Sequence, residues 1–265
     1  MNRKVVLVSA ESHVRPMGLG ASLLFFGIPS CVFAFNVYVL IPLTVRSGLS
    51  VFAGYTLFYF GFFTLLIVPA VAAHRREGRP ATLSAFGSRM MIGRMDPLEW
   101  LLALSVLLIF AASSLAFLPT QVELMKLPAF APPAFLPSWA DPRAVQEGVW
   151  LEFMGYPVAG KWWLAPLFLL LFLSNILGET TFLRGYCLPR QELAFGRLAW
   201  VVNGLLCALF YCSVWRWNIL VSIPTHLALS YMVQRRRNLS PAMAVYFAVN
   251  VLGMTPLFLG TFAHP

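Results

Sequence analysis

An ionisable pair stands inside an apolar stretch of this 265-residue sequence. Glu179 and Arg184 continue a hydrophobic run that begins near Trp162, so both are expected at the depth of a lipid bilayer. An ionisable side chain in the middle of a membrane helix costs about 2.5–3.5 kcal/mol on insertion scales. Two interpretations are open: a structural ion pair that orients a helix bundle, or a catalytic carboxylate with an arginine beside it.

The residues around this pair carry a recognisable pattern. Residues 175–192 read Asn-Ile-Leu-Gly-Glu-Thr-Thr-Phe-Leu-Arg-Gly-Tyr-Cys-Leu-Pro-Arg-Gln-Glu. The stretch resembles the first motif of the CPBP family, the intramembrane proteases named for CAAX-protein and bacteriocin processing. That motif is Glu-Glu-x-x-x-Arg-Gly at the end of a transmembrane helix, often followed by Leu-Pro-Arg-Gln-Glu. Glu179 and Arg184 occupy family positions, whereas Thr180 replaces the second glutamate.

Two further motifs of the family have partial counterparts. Residues 200–206 resemble the lead into the second motif, an aromatic residue with a histidine four positions on, and those positions hold Cys207 and Tyr211. Residues 234–238 resemble the basic turn before the third motif, His-x-x-x-Asn, whose ends are Tyr246 and Asn250. Both family histidines are therefore tyrosines. The resemblance covers about residues 160–251.

The resemblance implies roles for these positions. In the family, the first glutamate activates water, and the histidines and asparagine hold the water and stabilise the oxyanion. Glu179 can still act as a general base, and Asn250 can still donate to an oxyanion. A tyrosine phenol donates a hydrogen bond but does not replace a neutral imidazole as a base near pH 7. The expected catalytic residues are Glu179, Arg184 and Asn250, with Thr180, Tyr211 and Tyr246 at altered catalytic positions.

Thr180 changes what Arg184 can bond to. Position 180 lies one α-helical turn before Arg184, where a glutamate would pair with the arginine. With threonine at this position, we expect Arg184 to bond to Glu179, to a carbonyl group or to water.

A histidine outside the three motifs also lies within an apolar run. His226 and Ser230 give His-x-x-x-Ser, but the basic turn follows this pair instead of preceding it, so the register does not match the third motif. We interpret His226 as a hydrogen-bonded core residue. Glu179 and His226 are the only plausible metal ligands among the spans, one on each of two helices, so neither a metal site nor a cofactor is predicted.

The composition determines the fold class. Hydrophobic residues make up 59% of the chain and charged residues 11%, against about 25% charged residues in soluble domains. A helix needs ~20 apolar residues to cross a bilayer, and the continuous apolar runs of this chain are close to that length. They predict an all-α, polytopic transmembrane bundle of about seven helices with a CPBP-like core. The runs cover residues 18–43, 48–73, 98–118, 162–188, 198–215, 217–234 and 241–262.

The segments between the runs suggest an organisation and an orientation. Residues 1–159 are expected to hold N-terminal helices, a cytoplasmic basic loop at 74–97 and nearly all of a long extracytoplasmic, proline-rich loop at 119–161. Residues 160–265 are expected to form the CPBP-like core. Thirteen of the 19 lysines and arginines fall in one alternate set of segments and five in the other. This bias predicts a cytoplasmic N-terminus, in what we expect to be a bacterial plasma membrane. The five arginines of the loop at 74–97 either orient the chain in the membrane or contact anionic lipid headgroups.

The remaining composition restricts the partners. The net charge of +9 comes from residues between apolar spans, so nucleic acid is not an expected partner. The four cysteines lack Cys-x-x-Cys spacing and are expected to be packing residues. Expected partners are membrane lipids and a membrane-embedded peptide or a lipidated protein.

The resemblance leaves three functions open. The main expectation is a catalytically impaired homologue that keeps the family cavity and binds a membrane-embedded peptide or lipidated partner. The alternative is an active, divergent intramembrane glutamic endopeptidase for CAAX-type or bacteriocin-like substrates. A transporter-like or purely structural membrane protein is the third, because fold resemblance alone does not establish function.

Overall fold

The protein is a bundle of helices. Its structure is a computed structural model, which describes residues 14–133, 141, 143 and 148–264. The predicted all-α membrane bundle is therefore confirmed. In the described residues, strand structure is limited to one hairpin, β1 (Glu152–Phe153) and β2 (Tyr156–Pro157). The predicted topogenic residues Arg3 and Lys4, and Trp139 of the long loop, lie outside the described residues.

Ten helical elements follow one another along the described chain. Two long helices come first, α1 (Leu19–Arg46) and α2 (Val51–Arg76), each with a π-helical turn inside it. The others are α3 (Leu83–Arg89), α4 (Pro97–Leu124), α5 (Leu164–Thr180), α6 (Leu188–Phe195), α7 (Ala199–Cys212), α8 (Ile219–Arg236), α9 (Ser240–Gly253) and α10 (Thr255–Phe262). A π-helical segment, Thr181–Cys187, joins α5 to α6 without a break.

All seven predicted apolar runs fall on helices, but fewer meet the criteria for a membrane span. Within the described residues, four helical stretches are long and apolar enough to cross a bilayer: α1, α2, α4 and Leu164–Cys212. The last stretch contains two predicted runs, which are separated where Gly196 adopts a φ of 54°. The helices α9 and α10 are bent by 53° and form a fifth candidate.

Polar contacts join the segments between the helices into two groups. In one group, the loop after α2, the start of α4, the α6 region and the end of α8 meet through the ion pairs Glu77–Arg190, Asp96–Arg236 and Glu192–Arg237. In the other group, the contacts join the long loop to the α7–α8 turn and to α10: Arg216–Ala129, Trp150–Pro256 and Gly160–Ala263.

Two glycines let helices cross with their backbones nearly touching. A Cβ at Gly178 would lie 2.1 Å from the carbonyl oxygen of Phe63, so α5 packs directly on α2. A Cβ at Gly204 would lie 2.8 Å from Cα of Leu227, so α7 packs equally closely on α8. Small residues at such crossings are typical of membrane helices. These crossings place the residues beside the glycines close to the neighbouring helices.

Candidate active site and binding cavity

A cavity of about 220 Å³ opens between α2, α4, α5, α7, α8 and α9. Most of its wall is apolar, and its aromatic residues are Tyr59, Phe60, Phe63, Phe110, Phe172, Tyr211, Trp215 and Tyr246. Four residues singled out from the sequence line it together: Glu179, Tyr211, Tyr246 and Asn250. The three motif helices therefore converge on one interior space.

Glu179 is the carboxylate of this cavity. It lies in the last turn of α5, directly after the close crossing at Gly178, and is only 6% exposed. The phenols of Tyr211 and Tyr246 lie close enough to interact with its carboxyl group. Its Oε1 atom has no hydrogen-bond partner within the described part of the chain. One carboxylate oxygen is thus buried without a hydrogen-bond partner in the described residues.

The π-helical segment after α5 explains where Arg184 lies. Hydrogen bonds in a π-helix join residues five apart, so a side chain five positions on returns to nearly the same face. Glu179 and Arg184 are five residues apart, and their charges interact across the buried site. In a continuous α-helix the same spacing would direct the two side chains to different faces, because each residue advances by about 100°.

Arg184 has partners that were not predicted from the sequence. The side chain is fully buried, and its Nη1 donates to the Tyr246 hydroxyl over 3.1 Å. Its Nη2 bonds to Nδ1 of His226 over 3.0 Å. The hydroxyl of Thr180, predicted from the motif to replace a family glutamate, bonds back to the carbonyl of Ile176 in its own helix. Across the described residues, no ion pair joins Arg184 to Glu179.

The contact with Arg184 determines the protonation of His226. Arginine only donates, so Nδ1 must accept, and the ring proton of a neutral imidazole is then on Nε2. The ring is 5% exposed and stacks on Tyr211 with centroids 4.8 Å apart. His226 is thus hydrogen-bonded and buried, as interpreted from the sequence, but it also lines the cavity. A sequence signal for this was Gly204, whose close crossing brings α8 against α7.

The other altered and retained family positions divide between the cavity wall and the core. Asn250 lines the cavity and uses one amide N–H on the carbonyl of Tyr246 over 2.8 Å, which leaves the other for a ligand. Cys207 lies behind the wall, where its Sγ is 3.6 Å from Oδ1 of Asn203. Thr180 is likewise fully buried outside the residues that line the cavity.

Asn203 supports the π-helical segment from behind. Its Nδ2 donates to the carbonyl of Leu183 over 2.9 Å and to Oε1 of Gln191 over 2.8 Å. Its Oδ1 accepts from the hydroxyl of Ser230 over 2.8 Å. One buried amide thus links the segment that carries Arg184 to α6, α7 and α8. In the described residues, no group of three or more metal-ligating side chains comes together.

Comparison with known proteins yields one family and no individual relatives. Residues 161–252 match the family model described as type II CAAX prenyl endopeptidase, Rce1-like. No curated protein and no solved structure matches the chain. The matched residues include five polar residues that line the cavity: Glu179, Tyr211, His226, Tyr246 and Asn250. Through residues 161–252, this integral membrane protein is similar to the Rce1-like CAAX protease family.

Proposed function

We propose that this chain uses the family cavity to bind a membrane-embedded peptide or a lipidated partner, with proteolysis lost or much weakened. The observation that carries the proposal is the pair Tyr211 and Tyr246, which occupy the family's histidine positions and face Glu179. Phenols supply hydrogen bonds and aromatic surface, which serve binding. They do not supply the imidazole lone pair that helps to hold a reactive water.

The walls of the cavity suit a ligand that is largely apolar. Small-molecule and peptide sites are mostly hydrophobic, with a few polar groups that fix the orientation of the ligand. Here the aromatic wall provides the apolar area, and Glu179 and Asn250 provide an acceptor and a donor. An acyl or prenyl chain, or an apolar helix end with one free amide group, matches this distribution.

The remaining imidazole does not restore the missing base. Nδ1 of His226 is engaged by Arg184, so the other nitrogen carries the proton and can only donate. Glu179 is left as the base, flanked by two phenols. Loss of one oxyanion donor typically costs about 10²–10³ in rate, so loss of two imidazoles is expected to reduce turnover severely.

Binding can be tested with the full chain in nanodiscs and a fluorescein-labelled farnesylated peptide. Val249 lines the cavity, and Val249→Phe should fill it and weaken binding by about tenfold or more. Leu252 lies on the same helix and is 69% exposed, so Leu252→Phe should leave affinity within about twofold. Equal affinity in wild type and Val249→Phe, or no binding by wild type, would refute the proposal.

A second candidate is an active, divergent glutamic endopeptidase. The unpartnered Oε1 of Glu179 favours it, because a free carboxylate oxygen in a cavity can orient and deprotonate water. The same nanodisc sample can be analysed for peptide fragments by mass spectrometry. Turnover by wild type that disappears in Glu179→Ala would establish this candidate in place of the first.

We also propose that the N-terminus and the turn at residues 235–237 lie in the cytoplasm of a bacterial cell, with the chain in its plasma membrane. The excess of basic residues in one set of segments supports this orientation. Single cysteines introduced at Arg237 and at Lys161 in a chain without its native cysteines provide the test. In intact cells, a membrane-impermeant maleimide should label position 161 and leave position 237 unlabelled. The reverse pattern would invert the topology.

A further inference from the structure

Three arginines converge on one carboxylate where the loop after α2 meets α6. Glu77 Oε2 accepts from Nε of Arg89 over 2.6 Å and from Nε of Arg79 over 3.1 Å. Glu77 Oε1 accepts from Nη2 of Arg89 over 2.8 Å and from Nη2 of Arg190 over 2.9 Å. Each carboxylate oxygen therefore already accepts two hydrogen bonds. We call Glu77, Arg79, Arg89 and Arg190 the arginine cluster.

The arginine cluster carries more positive charge than its carboxylate neutralises. Three guanidinium groups surround one carboxylate, so the excess is two positive charges. Arg89 and Arg190 are each only 8% exposed, and a buried charge is costly unless it is paired. Among the described ion pairs of these arginines, the acidic partner is always Glu77. The cluster thus lacks a second anion within the described chain.

Most of the guanidinium donors remain available for that anion. Each guanidinium has five N–H donors, and Glu77 uses four of the cluster's fifteen. Arg190 uses one more on the carbonyl of Tyr186 and stacks on the Tyr186 ring at 3.8 Å. Planar guanidinium groups are well suited to phosphate, which they bind through two parallel hydrogen bonds.

The surroundings of the cluster match the surface of a membrane. The spanning helix α2 ends at Arg76, and Arg75 and Arg76 are both exposed. The short helix α3 begins at Leu83, whose side chain is 91% exposed although it is apolar. A leucine that enters the acyl region while neighbouring arginines reach the phosphates is typical of an interfacial segment.

We infer that the arginine cluster is a binding site for the phosphate headgroup of an acidic phospholipid. The inference does not depend on the proposed function of the cavity, which lies elsewhere between the helices. It does connect to the motif helix. Arg190 belongs to α6, and Tyr186 belongs to the π-helical segment that also carries Arg184. A bound headgroup would thus stabilise the π-helical segment that contains Arg184.

Native mass spectrometry of the detergent-solubilised chain tests the site. With equal amounts of phosphatidylglycerol and phosphatidylcholine, the wild type should retain phosphatidylglycerol preferentially. Arg79 is the most exposed arginine of the cluster, and Glu77 keeps two partners without it. Arg79→Gln should lower phosphatidylglycerol affinity by about tenfold or more, because a hydrogen bond to a charged group contributes about 1.5–3 kcal/mol. Arg79→Lys should lose only about twofold, because it keeps the charge.

Arg75→Gln is the matched control, because it removes one positive charge near the cluster without touching Glu77. It should change phosphatidylglycerol affinity by less than about twofold. Equal losses in Arg75→Gln and Arg79→Gln would mean diffuse surface charge and would overturn the site. So would the absence of a preference for phosphatidylglycerol. Displacement of the lipid by millimolar inorganic phosphate would replace the lipid assignment with a free-phosphate site.

Discussion

Arg184 bonds to Nδ1 of His226 over 3.0 Å, so the buried arginine of the first motif is held by a neutral imidazole from another helix. The Tyr246 hydroxyl is its second side-chain partner. Both partners are uncharged, whereas the family pattern provides a second glutamate one turn before the arginine. These two partners therefore do not neutralise the positive charge, and it can polarise the phenol of Tyr246 towards donation. This relationship makes His226 part of the site although it belongs to none of the three motifs.

Loss of the imidazole acceptor should destabilise the protein. His226→Ala removes a partner from a buried guanidinium, and a hydrogen bond to a charged group contributes about 1.5–3 kcal/mol. His226→Gln offers an amide oxygen to Arg184 and should recover at least half of the loss. The free energies of unfolding in mixed detergent micelles give the comparison. If alanine and glutamine were equally destabilising, packing of the ring on Tyr211 would be the main contribution instead.

A methyl group at the α2–α5 crossing should disturb the helix that carries Glu179. The Cβ of Gly178→Ala would meet the Phe63 carbonyl oxygen at 2.1 Å, which forces the two backbones apart. Overpacking of this kind costs about 1–3 kcal/mol.

The matched control for this crossing is Gly27→Ala in α1, where a Cβ meets nothing within 4 Å. Thermal unfolding of the two variants should show a clear loss for Gly178→Ala and little change for Gly27→Ala. Wild-type stability in Gly178→Ala would contradict the close crossing.

The stability of the arginine cluster should depend on pH. Burial alone would raise the pKa of Glu77, but the hydrogen bonds and positive charges of Arg89 and Arg190 outweigh it and lower the pKa to about 2. Because the folded-state pKa lies below the unfolded value, the stabilisation is complete above about pH 4.5 and is lost as the pH falls towards 2. At about 1.36 kcal/mol per pKa unit, the difference between 4.5 and about 2 corresponds to roughly 3 kcal/mol before solvent screening lowers it.

Unfolding measured between pH 6 and pH 3 can isolate this contribution. Wild type should lose stability over that interval relative to Glu77→Gln, which has no carboxylate to protonate. At pH 6 the glutamine variant should already be the less stable of the two. Parallel pH profiles for wild type and Glu77→Gln would assign the acid sensitivity to other groups.

The sequence allowed the main features of the fold and the cavity to be predicted, because hydropathy runs and motif spacing act through local geometry. Glu179, Tyr211, Tyr246 and Asn250 meet as their motif registers required. The partner of Arg184 could not be predicted in the same way. It depends on the π-helical segment, which shifts the side chain round the helix axis, and a single sequence does not distinguish this segment from an α-helix.

The sequence predicted that His226 is buried and hydrogen-bonded, but it did not predict that His226 lines the cavity, for a related reason. Its approach to the cavity depends on the crossing of α7 and α8 at Gly204, which is a property of tertiary packing. The number of spans depends on the same kind of information. The apolar runs at 162–188 and 198–215 lie in one helical stretch that turns at Gly196. The last run, 241–262, forms two helices that are bent by 53°. Periodicity alone contains no signal for such breaks.

The last prediction concerns the recovery of proteolysis. Tyr211→His with Tyr246→His should return two imidazoles to the wall of the cavity beside Glu179. That double change also removes the Tyr246 hydroxyl from Arg184, which leaves His226 as the arginine's remaining side-chain partner. The freed guanidinium would then compete for Glu179 and neutralise the base. We therefore expect the double variant to show little cleavage of a farnesylated CAAX peptide in nanodiscs.

Addition of Thr180→Glu should change this outcome by restoring the second glutamate of the family motif, whose carboxylate can pair with Arg184. The triple variant is expected to cleave at least about tenfold faster than the double variant. The control is the triple variant combined with Glu179→Ala, in which cleavage should fall to background. Equal rates in the double and triple variants would show that the partner of Arg184 does not limit catalysis. Cleavage that survived Glu179→Ala would remove Glu179 from the role of base, and with it the mechanism inferred from the first motif.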